Sequence, residues 1–141
     1  MAQTHPKVGA IAVLLRDDKF LLVQRGKDPG RGLWGFPGGH VEMGEAAKDA
    51  AVRELFEETQ IVAEPIEVMT AIDIIGRDDD GAISYHYLLA VVPCEYHSGE
   101  AVAGDDAAAV EWVSAQEVIN AERGLNQGVA DVAKRVWERR V

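Results

Sequence analysis

The chain has a single cysteine, Cys94, so no internal disulfide can staple it, and the apolar stretch around that residue suits an inert buried thiol. Long hydrophobic runs are also missing. Val8 to Leu15 and Tyr87 to Pro93 are the longest, far short of the roughly 20 residues that cross a bilayer, so no membrane partner is expected. Met1 to Lys7 shows no basic segment followed by an apolar run and a cleavage site, and a cytoplasmic location is expected. Positive charge is scarce: 14 Lys and Arg against 24 Asp and Glu leave a net charge of -10. Such a chain repels a polyphosphate backbone, which excludes long nucleic acid as a partner. It does not exclude a small anionic substrate, because a divalent cation inverts the local field around a carboxylate cluster.

What is present is ordinary globular protein. With 48% hydrophobic and 27% charged residues, disorder and low-complexity structure are excluded. A length of 141 residues predicts one domain over residues 1–141. Val8 to Leu15 and Phe20 to Val23 read as strands joined by a tight Asp17-Asp18 turn. Gly26 to Gly39 is rich in glycine and proline around Trp34 and Phe36, and reads as one long loop. Loops of that length in compact domains are usually functional.

Glu45 to Glu58 carries Ala46, Ala47, Ala50, Ala51, Leu55 and Phe56 at helical spacing and predicts a helix. Ile66 to Ile75 and Ala82 to Val92 are strand-like, with Asp78 to Gly81 as the turn between them, and Val110 to Val113 is a further short strand. Ser114 with Glu117 reads as a capping box opening a helix to about Glu122, and Val129 to Arg139 as a terminal helix burying Val129, Val132, Ala133, Val136 and Trp137. Strands on both sides of a mid-chain helix predict an α/β fold in which helices cover a mixed sheet.

The chemistry concentrates on the mid-chain helix. Glu54, Glu57 and Glu58 stand at i, i+3 and i+4, which predicts three carboxylates projecting from one face. Partly buried unit charges about 5 Å apart repel by roughly 3 kcal/mol per pair at an effective dielectric of about 20. The spacing also fits a solvated acidic face, where the cost falls to a few tenths of a kcal/mol. Oxygen ligands on one face suit a hard cation such as Mg²⁺ or Mn²⁺ beside substrate phosphates. The preceding Phe36-Pro37-Gly38-Gly39 brings unobstructed backbone to the same place, where the Gly38 carbonyl is a candidate ligand. Arg53 is expected to point away from this face and to pair with Glu45 two turns earlier, bracing loop against helix. The four histidines show no zinc spacing, and Gly76 to Tyr87 fails as a calcium loop, with Gly76 and Tyr87 at its first and last ligand positions.

Gly39, five residues, Glu45, seven residues, then Arg53-Glu54-Leu55-Phe56-Glu57-Glu58-Thr59-Gln60-Ile61 resembles the signature box of the Nudix hydrolases, and Leu33 to Gly39 precedes it as in many members. One position departs, Gln60 standing where the box has glycine. That glycine ends the helix in a left-handed conformation, which a residue with a Cβ adopts at a cost of roughly 1 kcal/mol.

The resemblance implies a Nudix-type α/β/α sandwich with a mixed sheet. It further implies hydrolysis of a nucleoside diphosphate linked to another moiety, with Mg²⁺ or Mn²⁺ as cofactor, a small nucleotide as partner, and a homodimer as a common assembly. By the same likeness Glu54, Glu57, Glu58 and the Gly38 carbonyl hold metal, and Gly39, Glu45 and Arg53 orient the helix. Glu54 is also a candidate proton acceptor. Members recruit a further carboxylate from a late loop, for which Asp105 and Asp106 are the candidates and Glu100 a second choice. Arg25 and Trp34 are candidate substrate contacts, Trp34 also reading as a loop anchor. Ala103 to Ala107 followed by Glu111-Trp112-Val113 resembles the late loop of ADP-ribose-type members, which favours ADP-ribose or a related sugar nucleotide. The alternatives are an 8-oxo-dGTP-type nucleoside triphosphate hydrolase and a nucleotide-sensing module without catalysis, the latter disfavoured by the intact carboxylates.

Overall fold

The computed structural model describes residues 3–140, so Met1, Ala2 and Val141 at the ends of the expected domain lie outside the described residues. The chain opens with a hairpin of β1 (Lys7–Arg16) and β2 (Lys19–Arg25), turned through Asp17 and Asp18, both at positive φ (52° and 61°). Consecutive positive φ values match the right-handed twist of the flanking strands.

The Gly26 to Gly39 segment is not wholly loop. It holds two short strands, β3 (Trp34–Gly35) on β2 and β4 (Gly38–His40) on β1. Helix α1 (Ala47–Thr59) follows, then β5 (Val62–Pro65), β6 (Thr70–Arg77), β7 (Ile83–Ser98), β8 (Ala107–Ser114), α2 (Ala115–Ile119) and α3 (Val129–Arg139).

The sheet is mixed. β1 runs parallel to β7 from Lys7↔Tyr87 to Leu14↔Cys94, and every other strand pairing is antiparallel. β1 is the hub, buried on both faces, which explains why its sequence is almost continuously apolar instead of alternating. Ala10, Ala12 and Leu14 point to one face and pack with Ala50, Ala51 and Leu55 of α1. Val13, with Phe20, Leu22 and Val91, meets Val118 of α2 and Val129, Val132, Ala133 and Val136 of α3 on the other. Two cores on opposite sides of one sheet make the α/β/α sandwich.

Several element bounds differ from expectation. α1 begins at Ala47 instead of Glu45, because Glu45 turns out of the helix to meet Arg53. Ile66 to Met69 is not strand; the β6 strand starts at Thr70, and a separate short strand, β5, pairs Val62 to Pro65 with the far end of β7. β7 runs on to Ser98 because one edge serves β1 while the other serves β6 and then β5. β8 extends to Ala107–Ser114. α2 stops at Ile119: Ser114 accepts from the Glu117 N–H at 3.3 Å, but the Glu117 carboxylate is drawn to Arg123 instead of closing the box. α3 has the expected bounds. Trp137 is only half-buried, at the rim of the α3 core.

Gln60 takes the left-handed conformation at the end of α1 (φ 66°, ψ 6°), its N–H donating to the Phe56 carbonyl at 2.8 Å. Buried Thr59 secures the exit, its hydroxyl donating to Leu55 O at 2.7 Å and accepting from Ile61 N–H at 3.1 Å. Gln60→Gly is expected to stabilise the protein by about 1 kcal/mol, or ~3 °C in melting temperature, by removing the Cβ from this conformation. Thermal unfolding of the two proteins measures it; an unchanged or lower melting temperature would mean that the left-handed strain is absent.

Candidate active site

The site is built where α1 comes close to the sheet. The packed faces of helix and strands are largely alanine, Ala50 and Ala51 against Ala10, Ala12 and Ala90, and small side chains let the backbones approach. Gly39 continues the same logic. A Cβ there would lie 2.4 Å from Cδ of Glu54, so only glycine lets the Glu54 carboxylate seat against β4.

Arg53 organises the acidic side chains. Its Nε donates to Glu45 Oε2 at 2.7 Å and its Nη2 to Glu45 Oε1 at 3.0 Å, a two-pronged pair with ideal fork geometry. The expectation that Arg53 points away from the carboxylate face is corrected here. Its Nη1 also donates to Glu54 at 3.0 Å and Glu57 at 3.2 Å, and its Nη2 to the His40 carbonyl at 3.0 Å. A guanidinium has five N–H donors in a planar fork, enough to serve the loop and two turns of helix at once. The Arg53 hydrogen bond holds Glu45 below the usual carboxylate range, and the Glu45 partner raises Arg53 in turn.

Oxygen atoms of Glu54, Glu57 and Asp105 lie within 4.8 Å of one another, close enough to ligate one ion. Asp105 reaches the helix from the loop before β8, in left-handed backbone (φ 53°), with Gly104 N–H bonded to the Glu58 carbonyl at 2.9 Å. Its adjacent candidate does not join it. Asp106 turns outward to Lys27 at 2.9 Å, and Glu100 is outside the group as well.

Glu58 does not converge with Glu54 and Glu57 as the helical spacing predicts. Its Oε2 accepts from the Gly38 N–H at 2.8 Å, on the strand side of the cluster. Burial pushes this carboxyl up to about 8, the nearby charges of Glu54 and Asp105 adding to the rise while the Gly38 N–H and the charge of Arg25 oppose it. Burial also raises Glu54, against the pull of Arg53. The donor set, hard carboxylate oxygens gathered at one point, suits a divalent cation.

Arg25 is half-buried, its Nε donating to the Pro29 carbonyl at 2.6 Å. Trp34 is clamped by its backbone, N–H to Gly124 O and carbonyl from Asn126 N–H, and the Arg123 guanidinium lies 4.8 Å over its ring. Arg123 is itself held by Glu111 at 2.8 Å and Glu117 at 2.6 Å. Sequence reading missed this brace, although three charges spaced along one terminal segment were a visible signal.

The fold and this loop-helix arrangement of acidic side chains define a hydrolase type of site. A family model, the NUDIX domain, matches residues 4–136, and the chain belongs to the Nudix hydrolase family. It is 36% identical over 109 residues to the ADP-ribose pyrophosphatase of Methanocaldococcus jannaschii, covering 77% of this chain and 62% of that one, so the match spans less than two-thirds of the relative. It is 31% identical over 129 residues to the phosphatase NudJ of Escherichia coli, covering 89% of this chain and 80% of NudJ. The crystal structure of a MutT NUDIX hydrolase from Burkholderia pseudomallei superposes with a TM-score of 0.81 at 28% identity, over 94% of this chain and 98% of that one. Nudix hydrolases generally use divalent metals. Among the described residues no helix is long and apolar enough to cross a membrane.

A raised carboxyl makes stability pH-dependent. Between about 4.5 and 8 the folded, metal-free chain keeps a proton on Glu58 that the unfolded chain releases, so stability falls as pH rises through that window. Glu58→Gln is therefore expected to melt a few degrees (~3–6 °C) above the wild type at pH 8 in EDTA and to match it at pH 5. Parallel melts at the two pH values check this, and an equal shift at both would remove Glu58 titration as the cause.

Proposed function

We propose that the chain hydrolyses the pyrophosphate bond of a nucleoside diphosphate linked to another moiety, with ADP-ribose or a related sugar nucleotide as the favoured substrate. The observation that carries this reading is the convergence of Glu54, Glu57 and Asp105 within 4.8 Å, braced by Arg53. In this reading Glu54, Glu57 and Asp105 hold a divalent cation, Mg²⁺ or Mn²⁺, with Glu58 and the Gly38 carbonyl at its strand side. A bound hard cation neutralises phosphate oxygens and acidifies water. Glu45 and Arg53 hold the helix in register. Glu54 and Asp105 are placed to accept the proton of the attacking water, Glu54 being half-buried and already raised towards the protonated form. Arg25, with N–H groups beyond the one that Pro29 accepts, and half-buried Trp34 are the substrate contacts of this reading. The named activity of the archaeal relative supports the choice of ADP-ribose.

A panel of ADP-ribose, dinucleoside and sugar-linked diphosphates and 8-oxo-dGTP, run with and without Mg²⁺, tests the assignment. ADP-ribose or a sugar nucleotide is expected to turn over fastest. A clear preference for 8-oxo-dGTP would replace it with the triphosphate reading, and no metal-supported turnover of any member would favour a sensing module. Glu57→Gln is expected to lower turnover by at least ~100-fold. Asp105→Ala should cost far more activity than Asp106→Ala, whose side chain faces Lys27. Full activity in Asp105→Ala at saturating Mg²⁺ would place the base elsewhere. Arg53→Lys keeps the charge but not the fork and is expected to lose at least ~10-fold in turnover; wild-type turnover in that variant would show that the charge alone suffices.

A further inference from the structure

Two of the three tyrosines in this aromatic-poor chain, Tyr85 and Tyr87, sit half-buried on the front of the sheet together with exposed His40, forming a row of rings outside both cores. Ring centroids are 5.7 Å apart between His40 and Tyr87 and 6.1 Å between Tyr87 and Tyr85. The His40 and Tyr87 planes are tilted by only 32°.

Two glycines lie under the row, Gly76 against the Tyr85 ring and Gly9 beneath Leu89. β4 and β7 flank β1 on opposite edges, so the His40 and Tyr87 rings meet only by crossing over β1, and Gly9, paired to His40, puts no side chain in the way. A Cβ at Gly9 would stand 3.0 Å from the Gly39 carbonyl and 2.8 Å from Leu89. At the far end, a Cβ on Gly76 would lie 2.1 Å from the Tyr85 ring, so that ring lies flat on the sheet with its other face outward. Among the described residues, no protein group hydrogen-bonds to either phenol or to the His40 ring. These rings stay partly or wholly exposed in a chain where Phe20 and Phe36 are buried.

The row lies on the sheet face opposite α1 and adjoins the site through the β4 backbone. His40 follows Gly38 and Gly39 on β4, and its carbonyl accepts from Arg53 at 3.0 Å. Two residues along a strand cover about 7 Å, a distance that one nucleotide unit spans. Beside the row, an open groove of about 530 Å³ runs between α3 and the β6 side chains Ile72 and Ile74, the latter paired to Tyr87.

We infer that the His40–Tyr87–Tyr85 row is the stacking platform for the base of the nucleotide substrate, with His40 and Tyr87 as its primary contacts. The inference rests on the proposed pyrophosphohydrolase reading and adds to it the recognition of the base. Stacking on aromatic faces tolerates different bases because every base has a π-face, so the platform sets affinity for the nucleoside half and leaves discrimination to groups at its edge.

The experiment follows AMP binding to the whole chain by NMR of the His40 and tyrosine ring protons, with ribose 5-phosphate as the base-free probe. AMP is expected to shift the His40 and Tyr87 ring signals and ribose 5-phosphate to leave them in place. Tyr87→Leu keeps apolar bulk without a π-face, and is expected to weaken AMP binding and raise the KM of the fastest substrate by about tenfold or more, with kcat much less affected; Tyr87→Phe should stay within about threefold. Melting temperatures report whether each variant folds, and His40→Leu gives a second, independent removal of a ring. Unmoved ring signals on AMP binding, no AMP binding at millimolar concentration, or wild-type affinity in both leucine variants would overturn the platform. Equal losses in Tyr87→Leu and Tyr87→Phe would also overturn it, assigning the contact to the phenol hydroxyl. Failure of every substrate to turn over would sink the pyrophosphohydrolase reading while leaving the AMP result to stand or fall separately.

Discussion

The Arg53 guanidinium is the interaction on which the rest of the site depends. One cation meets Glu45, Glu54 and Glu57 and the His40 carbonyl, at distances between 2.7 and 3.2 Å. In a chain of net charge -10 that crowding of carboxylates would otherwise push the helix, the glycine loop and the β4 strand apart. Because the donors are fixed in one plane, the same group also sets geometry. It ties the loop residue Glu45 to the middle of α1 and orients the first two carboxylates of the cluster.

The clamp works only because the backbone lets α1 come near. Alanine on both packed surfaces and glycine at position 39 remove the side-chain atoms that would hold helix and strand at an ordinary distance. The opposite face of the sheet has no such constraint and is filled conventionally, with Phe20, Leu22, Val113 and the valines of α3. The two cores of the sandwich therefore differ in kind. One is lined with alanine where helix meets strand and serves to position charge; the other is filled by Phe20, Phe36, Leu22 and valines.

Local strain and unfavourable burial gather around this same helix. Gln60 and Asp105 stand in left-handed backbone, and Glu58 is half-buried with its carboxyl pushed up to about 8. A protein selected for stability alone would have removed each of these. Their clustering at the end of the helix that bears the carboxylates is the pattern expected of a functional site, where strain is kept for a use other than stability.

The helix and its acidic spacing, the hairpin, the terminal helix and the Nudix resemblance were all legible in the chain because they are written in local terms: periodicity, turn residues and a motif of fixed spacing. The mixed sheet with helices packed on it followed from the order of elements, and the α/β/α sandwich from the Nudix resemblance. Strand bounds at Ile66 to Met69 and beyond Val92 were not legible, because whether a residue is strand depends on which edge of β7 it meets. The departure of Glu58 from Glu54 and Glu57, the entry of Asp105 in place of Asp106, the inward turn of Arg53 and the meeting of His40 with Tyr87 across β1 were decided by the tertiary structure alone. Each joins groups that are distant along the chain or adjacent on it but oppositely directed, and sequence spacing carries side-chain direction only within a single element; between elements, direction is set by packing.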